Sequence, residues 1–157
     1  MMLLRETKNK DVLSAAAELA REDKPFRMNA SLSVIHCLDT GRVLVTHRAK
    51  DGQLGLPCGK ADPGEMTMET AYRELEEETG VRKVDLVDGL GYLQDINMSG
   101  CNVSVYAGAV PIELKVGPEK GFEIEGPASW MKPEDIAKTP SRFQNFNTVV
   151  LFNAGLI

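Results

Sequence analysis

Residues 59–81 read GKADPGEMTMETAYRELEEETGV, and Glu69, Glu74, Glu76, Glu77 and Glu78 crowd into ten consecutive positions of it. A helix turns by roughly 100° per residue. With Arg73 set at zero, Glu77 lies at ~40°, Glu74 at ~100° and Glu78 at ~140° around the axis. One sector therefore carries a cation and three carboxylates. Met68, Ala71, Tyr72 and Leu75 fall between ~160° and ~260°, an apolar stripe suited to a core. Glu69 and Glu76 point elsewhere, into solvent. The pattern predicts a helix over 68–79, with Thr67 as its N-cap and Gly80 as the left-handed residue that ends it.

Residues four apart on a helix are neighbours, so Glu74 and Glu78 repel one another. A chain that stacks like charges in this way can place a cation between them, and carboxylate oxygens suit hard divalent ions such as Mg²⁺ and Mn²⁺. The bland alternative is a solvated acidic face on which Arg73 is only the i+4 partner of Glu77, contributing a few tenths of a kcal/mol.

The fixed spacing decides between them. Gly59, Glu65, Arg73, Glu74, Leu75, Glu77, Glu78, Gly80 and Val81 fill all nine specified positions of G-x5-E-x7-R-E-U-x-E-E-x-G-U, where U is a bulky aliphatic residue. At average amino-acid usage such a match at a given start has odds on the order of one in a billion. The stretch resembles the signature of the Nudix (MutT-like) hydrolases, and it covers 23 of 157 residues. Leu56 and Pro57 look like the family's usual approach to it.

This resemblance implies an α/β (α+β) fold with a mixed sheet sandwiched between helices. It also implies a divalent-metal-dependent hydrolase of the pyrophosphate linkage in nucleoside diphosphate derivatives, with Mg²⁺ as cofactor and Mn²⁺ as a substitute. By the same resemblance, Glu77 and Glu78 match the principal metal ligands. Glu74 matches the position of the base or of a further metal contact. Glu65 resembles an outer contact of the metal site, and Arg73 matches the arginine that holds a glutamate in register. The backbone carbonyl of Cys58 or Gly59 supplies another metal oxygen, and either Glu123 or Glu125 is the acidic ligand from outside the signature. The catalytic set is thus Glu74, Arg73 and Glu77.

For the substrate, Phe143-Gln144-Asn145-Phe146-Asn147 looks like the C-terminal segment of the mutator-type nucleoside triphosphatases. There Phe143 and Asn147 would border the base, with the Asn147 amide offering both donors and an acceptor. The competing reading of Asn147 is a helix-start asparagine capping its own backbone. Lys60 follows Gly59 and would hold phosphate, while Trp130 borders the pocket or simply fills a core. No proline stands fifteen or sixteen residues after the signature, and no tyrosine where diadenosine-polyphosphate hydrolases tend to have one. Both absences tilt the expectation toward a (deoxy)nucleoside triphosphate. The alternatives are a dinucleotide, ADP-ribose or capped-RNA pyrophosphatase of the same fold, or a non-catalytic nucleotide-binding module. The intact acidic residues argue against the last.

The remaining chain sets bounds. Its length of 157 residues suits one domain, 1–157, with 1–26 as a helical N-terminal extension. A net charge of −5 argues against strong binding to duplex nucleic acid. The chain has no apolar run of membrane-spanning length, and MMLLRETKNKDV does not read as a secretory signal. Cys37, Cys58 and Cys101 are an odd, scattered set, which implies free thiols and a cytoplasmic setting. His36 and His47 read as ordinary strand residues. The periodicity predicts a helix over 11–22, with Val12, Leu13, Ala16, Leu19 and Ala20 inward, which either covers a sheet face or forms a homodimer contact. It predicts strands over 31–37 and 42–46 joined at Asp39-Thr40-Gly41, and strand over 84–96 interrupted near Asp88-Gly89. Further strands are expected over 102–114 and 122–131, then a helical turn at Pro133 and a closing helix over 142–154.

Overall fold

The computed structural model describes residues 6–157, so the apolar start of the chain lies outside the described residues. The chain forms α1 (Lys10–Arg21), β1 (Met28–Cys37), β2 (Val43–His47), β3 (Leu54–Gly55), β4 (Cys58–Lys60), α2 (Thr67–Thr79), β5 (Gly91–Met98), β6 (Cys101–Val110), β7 (Ala128–Met131), α3 (Pro133–Lys138) and α4 (Gln144–Asn153). The strands make one mixed sheet in the order β3-β2-β1-β6-β5, with β4 also on β1 and β7 on β2. The pair β1–β6 is parallel along all of its length, and the others are antiparallel.

Central β1 is buried on both faces, as a strand covered by helices on either side must be. Successive side chains alternate across the sheet. Ala30, Leu32 and Val34 face a core shared with Ala15 and Leu19 of α1, Ile136 of α3, and Phe146, Val149, Val150 and Leu151 of α4. Ile35 and Cys37 face the opposite core, built on Ala71 and Leu75 of α2 with Val81, Leu86, Leu90, Tyr106 and Val110. The result is the expected helix–sheet–helix sandwich.

The hairpin of β1 and β2 closes normally, with the Gly41 amide donating to the Cys37 carbonyl over 2.8 Å. It then splays. Only His36 and Val43 pair directly. Farther along, β3 takes the edge of β2 (Thr46 opposite Gly55), and β4 takes the edge of β1 (Leu32 opposite Cys58). A cavity of about 380 Å³ opens where the two strands part, lined in part by Ala30, Leu32, Thr46, Gly55, Cys58 and Gly59.

Several expectations need correction. Thr67 is the first residue of α2 and Met66 is its N-cap. Glu69 turns back to accept from the Met66 amide at 3.1 Å, while the Thr67 hydroxyl pairs with that of Tyr106 at 2.7 Å. Met68 is 41% exposed, while Ala71, Tyr72 and Leu75 of the stripe pack on the core. In α1, Leu13 is exposed and Ala15 takes its place inside. Ala20 is exposed too. Before β5 there is a 3-10 turn (Lys83–Asp85) rather than strand, and Asp88 and Gly89 both adopt positive φ where the break falls. Between 122 and 127, Glu123–Glu125 form another 3-10 turn, since Gly121 and Gly126 at positive φ confine the extended chain to β7.

Candidate active site

Arg73 sits at the hub of the acidic helix. Its Nε and Nη2 grip both oxygens of Glu65 at 2.8 and 2.9 Å. Its Nη1 donates to Glu74 at 2.8 Å and to Glu77 at 3.1 Å, and Nη2 also reaches the Lys60 carbonyl at 3.0 Å. Fork-like, charge-assisted bonds of this kind fix geometry as well as energy. Glu65 is held further by the Thr70 hydroxyl at 2.6 Å and the Asp62 amide at 3.1 Å. Arg73, then Thr70, hold its carboxyl down to a pKa of about 2. Both oxygens of Glu65 are thus engaged, and it braces Arg73.

Glu78 differs in kind. It is only 4% exposed, and its Oε2 is buried without a hydrogen-bond partner. Burial, then the charges of Glu74 and Glu125, push its pKa up to about 9. Burial also raises Glu74, against the pull of Arg73. A buried carboxylate oxygen with no donor is costly, and such groups concentrate at functional sites.

Glycine at position 59 is dictated by this arrangement. A Cβ there would lie 2.0 Å from the Glu74 carboxyl carbon, so only a glycine lets Glu74 lie against the strand. The β1–β4 ladder also separates the two carbonyl candidates. Ser33 donates to the Pro57 carbonyl and Ala61 to that of Asn29, which fixes Ser31–Gly59 as the hydrogen-bonded pair between them. The Gly59 carbonyl is thus committed to β1. Cys58 and Lys60 turn their backbone groups the other way: the Lys60 carbonyl meets Arg73 and the Cys58 amide bonds to Glu78. The Cys58 carbonyl is the one that faces the acidic helix.

Glu123 and Glu125 differ in position. Glu123 accepts from the Gly121 amide at 2.9 Å within its own exposed turn. Glu125 lines the cavity beside Glu78 and acts electrostatically on Glu74 and Glu78. Among the described residues, no three acidic, histidine or cysteine side chains already form a metal cage. The donor set nonetheless fits a hard divalent ion: the orphaned oxygen of Glu78, with Glu74, Glu125 and the Cys58 carbonyl around it.

At its other end the cavity is lined by Phe143, Phe146 and Asn147 of α4 and the turn before it, with Arg48, Gln53 and Lys60 also on its wall. Asn147 is 1% exposed and lies inside α4, so it does not cap the helix start; its amide donates to the Leu54 carbonyl at 3.3 Å. Phe143 lies under the Arg142 guanidinium, 5.0 Å from its ring centre. Trp130 is not part of the cavity. It stands on β7 against the α2-side core, with its indole N–H on the Leu114 carbonyl at 2.9 Å. Of its two expected places, pocket border and core, it takes the core, because strand alternation turns it to the other face. Sequence reasoning missed Met28, Met98 and Cys101, which share a sheet row and line the cavity. Only the strand register reveals that row.

A family model described as the NUDIX domain matches residues 28–152. The chain is 37% identical over 128 residues to an uncharacterized Nudix hydrolase, NudL, from Yersinia pestis; that match spans 77% of this chain but only 62% of NudL. It is 27% identical over 132 residues to a putative 8-oxo-dGTP diphosphatase, YtkD, from Bacillus subtilis, covering 82% of this chain and 80% of YtkD. Among solved structures, the Escherichia coli dihydroneopterin triphosphate pyrophosphohydrolase superposes with a TM-score of 0.61 at 21% identity, over 84% of this chain and 99% of that one. At that identity the likeness concerns the fold.

Proposed function

The chain belongs to the Nudix family of pyrophosphohydrolases, and from that premise we propose that it hydrolyses a (deoxy)nucleoside triphosphate with the help of a divalent metal ion. The observation that carries this reading is the continuous cavity, with Glu78, Glu125 and Gly59 at one end and Phe143 and Asn147 at the other. A purine-sized base at the α4 end leaves the phosphates beside the carboxylates. The name of the Bacillus subtilis relative, an oxidised-purine triphosphate diphosphatase, agrees with that orientation.

Glu78, Glu77, Glu74, Glu125 and the Cys58 carbonyl would hold Mg²⁺ or Mn²⁺. Such an ion, when bound, neutralises phosphate charge and acidifies a water. Arg73 keeps Glu74 and Glu77 at fixed distances from one another, and Glu65 keeps Arg73 from swinging away. Glu74 accepts the proton of the attacking water as general base. Lys60 and Arg48 meet phosphate oxygens. The ring of Phe143 covers one face of the base, while Asn147 reads its edge, its position set by Leu54.

The test is a panel of canonical and oxidised dNTPs, NTPs, ADP-ribose, NADH, diadenosine polyphosphates and capped RNA, each with Mg²⁺ and with Mn²⁺, with products separated. Preferred turnover of one or more triphosphates is expected. Turnover confined to ADP-ribose, dinucleotides or caps would replace this reading with the second one in the same fold.

A further inference from the structure

Glu125 stands on a turn between β6 and β7, and a turn by itself places a side chain loosely. Here the segment is tied down at both ends. At its start, the amides of Gly117 and Glu119 donate to the carbonyls of Thr79 and Glu77 at 3.0 and 2.9 Å, so it hangs from the last turn of α2. Phe122, Glu125 and Gly126 then each donate to the residue three positions back, at 2.9 to 3.1 Å, winding the segment tight. At its end Gly126 is buried at φ 85°, ψ 178°, a conformation essentially reserved for glycine. A Cβ on Gly126 would lie 1.9 Å from the His47 carbonyl oxygen and 2.7 Å from the Ala49 amide nitrogen. Both are backbone atoms at the end of β2 and cannot swing aside as a side chain can. The next residue, Pro127, accepts from the His47 amide at 2.9 Å.

We propose that Gly126 is a positioning residue for Glu125: its close approach to the His47–Ala49 backbone sets the proposed metal-ligating carboxylate that does not come from α2. This rests on the reading of Glu125 as a metal ligand. Any side chain at 126 must push the turn away from β2, and Glu125, one residue earlier, moves with it. Arg48 of the cavity wall lies between the two backbone groups that Gly126 touches, so the same contact ties the metal end of the cavity to its substrate wall.

The experiment measures Mn²⁺ affinity by electron paramagnetic resonance of the free ion, without substrate. It compares the wild type, Glu125→Gln, Gly126→Ala and the double variant, with thermal unfolding as a fold check. Gly121→Ala is the control, because Gly121 has a similar φ of 96° in the same segment but nothing within 4 Å of a Cβ. Gly126→Ala is expected to weaken Mn²⁺ binding by about tenfold to a hundredfold, as loss of ligand support does. Gly121→Ala should leave it unchanged, and the double variant should bind no more weakly than Glu125→Gln. Additive losses in the double variant, an equal loss in Gly121→Ala, or wild-type affinity in Gly126→Ala would each overturn the inference alone. Wild-type affinity in Glu125→Gln would instead overturn the ligand reading beneath it. If Gly126→Ala does not fold, amide exchange decides: Mg²⁺ should slow exchange at Gly126 and Ala49 in the wild type but not in Glu125→Gln. Equal behaviour of the two proteins would defeat the proposal.

Discussion

Helices α1 and α2 are alike in length and both are amphipathic, 12 and 13 residues respectively. Their polar faces are not alike. On α1 the charges are exposed, and the pair of Glu18 with Arg21 lies in solvent, where such a pair is worth little. On α2, Arg73 pairs with four carboxylates at once, those of Asp62, Glu65, Glu74 and Glu77, and Glu78 is buried with an oxygen that has no donor. Burying charge without full compensation destabilises a fold. A helix that serves only to cover a core has no reason to do this, and α1 shows how such a helix is made.

The sharpest way to break the contrast is Glu78→Gln. Hydrolysis should fall by at least about a hundredfold under saturating Mg²⁺, while the chelated protein keeps or gains thermal stability. The pH dependence follows from the sign of the shift. With its folded pKa raised above the ordinary carboxylate value, the wild type without metal is favoured at low pH. It loses stability as pH rises from roughly 4.5 toward the folded value of about 9. Glu78→Gln should flatten that slope in urea unfolding followed from pH 5 to 9; an unchanged slope would show that Glu78 is not the titrating group.

A smaller effect is expected from Arg73→Ala. Its removal leaves Glu65, Glu74 and Glu77 mutually repelling, and a loss of about 1–3 kcal/mol is expected for a partly exposed hub. Arg73→Lys should recover little of it, because an ammonium cannot reproduce the fork. Urea denaturation of both variants measures this, and full recovery by lysine would reduce the hub to simple charge neutralisation. Below that comes Asn147→Ala, which should change the ranking of bases by about tenfold or less while hardly slowing the best triphosphate. Competition assays with paired nucleotides read it directly. Least of all, Glu18→Gln on α1 should stay within about 0.5 kcal/mol of wild type; a larger shift would mean that the two helices are less different than their exposures indicate.

Much of α2 was legible beforehand. Its sector of Arg73, Glu74, Glu77 and Glu78 follows from local periodicity alone, and so does the glycine that ends it. The layering was expected only through the resemblance, because β1 reads MNASLSVIHC, with no long apolar run to demand cover on both faces. The open points fall where contacts from distant segments decide. Trp130 was left between pocket border and core along the chain, and the register of β7 on β2 sends it to the core away from the cavity. Glu123 and Glu125 could not be told apart along the chain, for both are acidic and two residues apart in a segment that resembled a strand.

What the sequence alone determined is the acidic helix and the kind of ion it suits. Helix geometry is local and repeats every few residues, so spacing in the chain becomes position in space without outside help. Which carbonyl of β4 faces that helix, which of Glu123 and Glu125 lines the cavity and where Phe143 and Asn147 lie were decided only by the tertiary structure. Those three depend on ladder phase, on the placement of the 3-10 turn over Glu123–Glu125, and on the parting of β1 from β2. Each is set by residues far apart in the chain that come together only in the folded molecule.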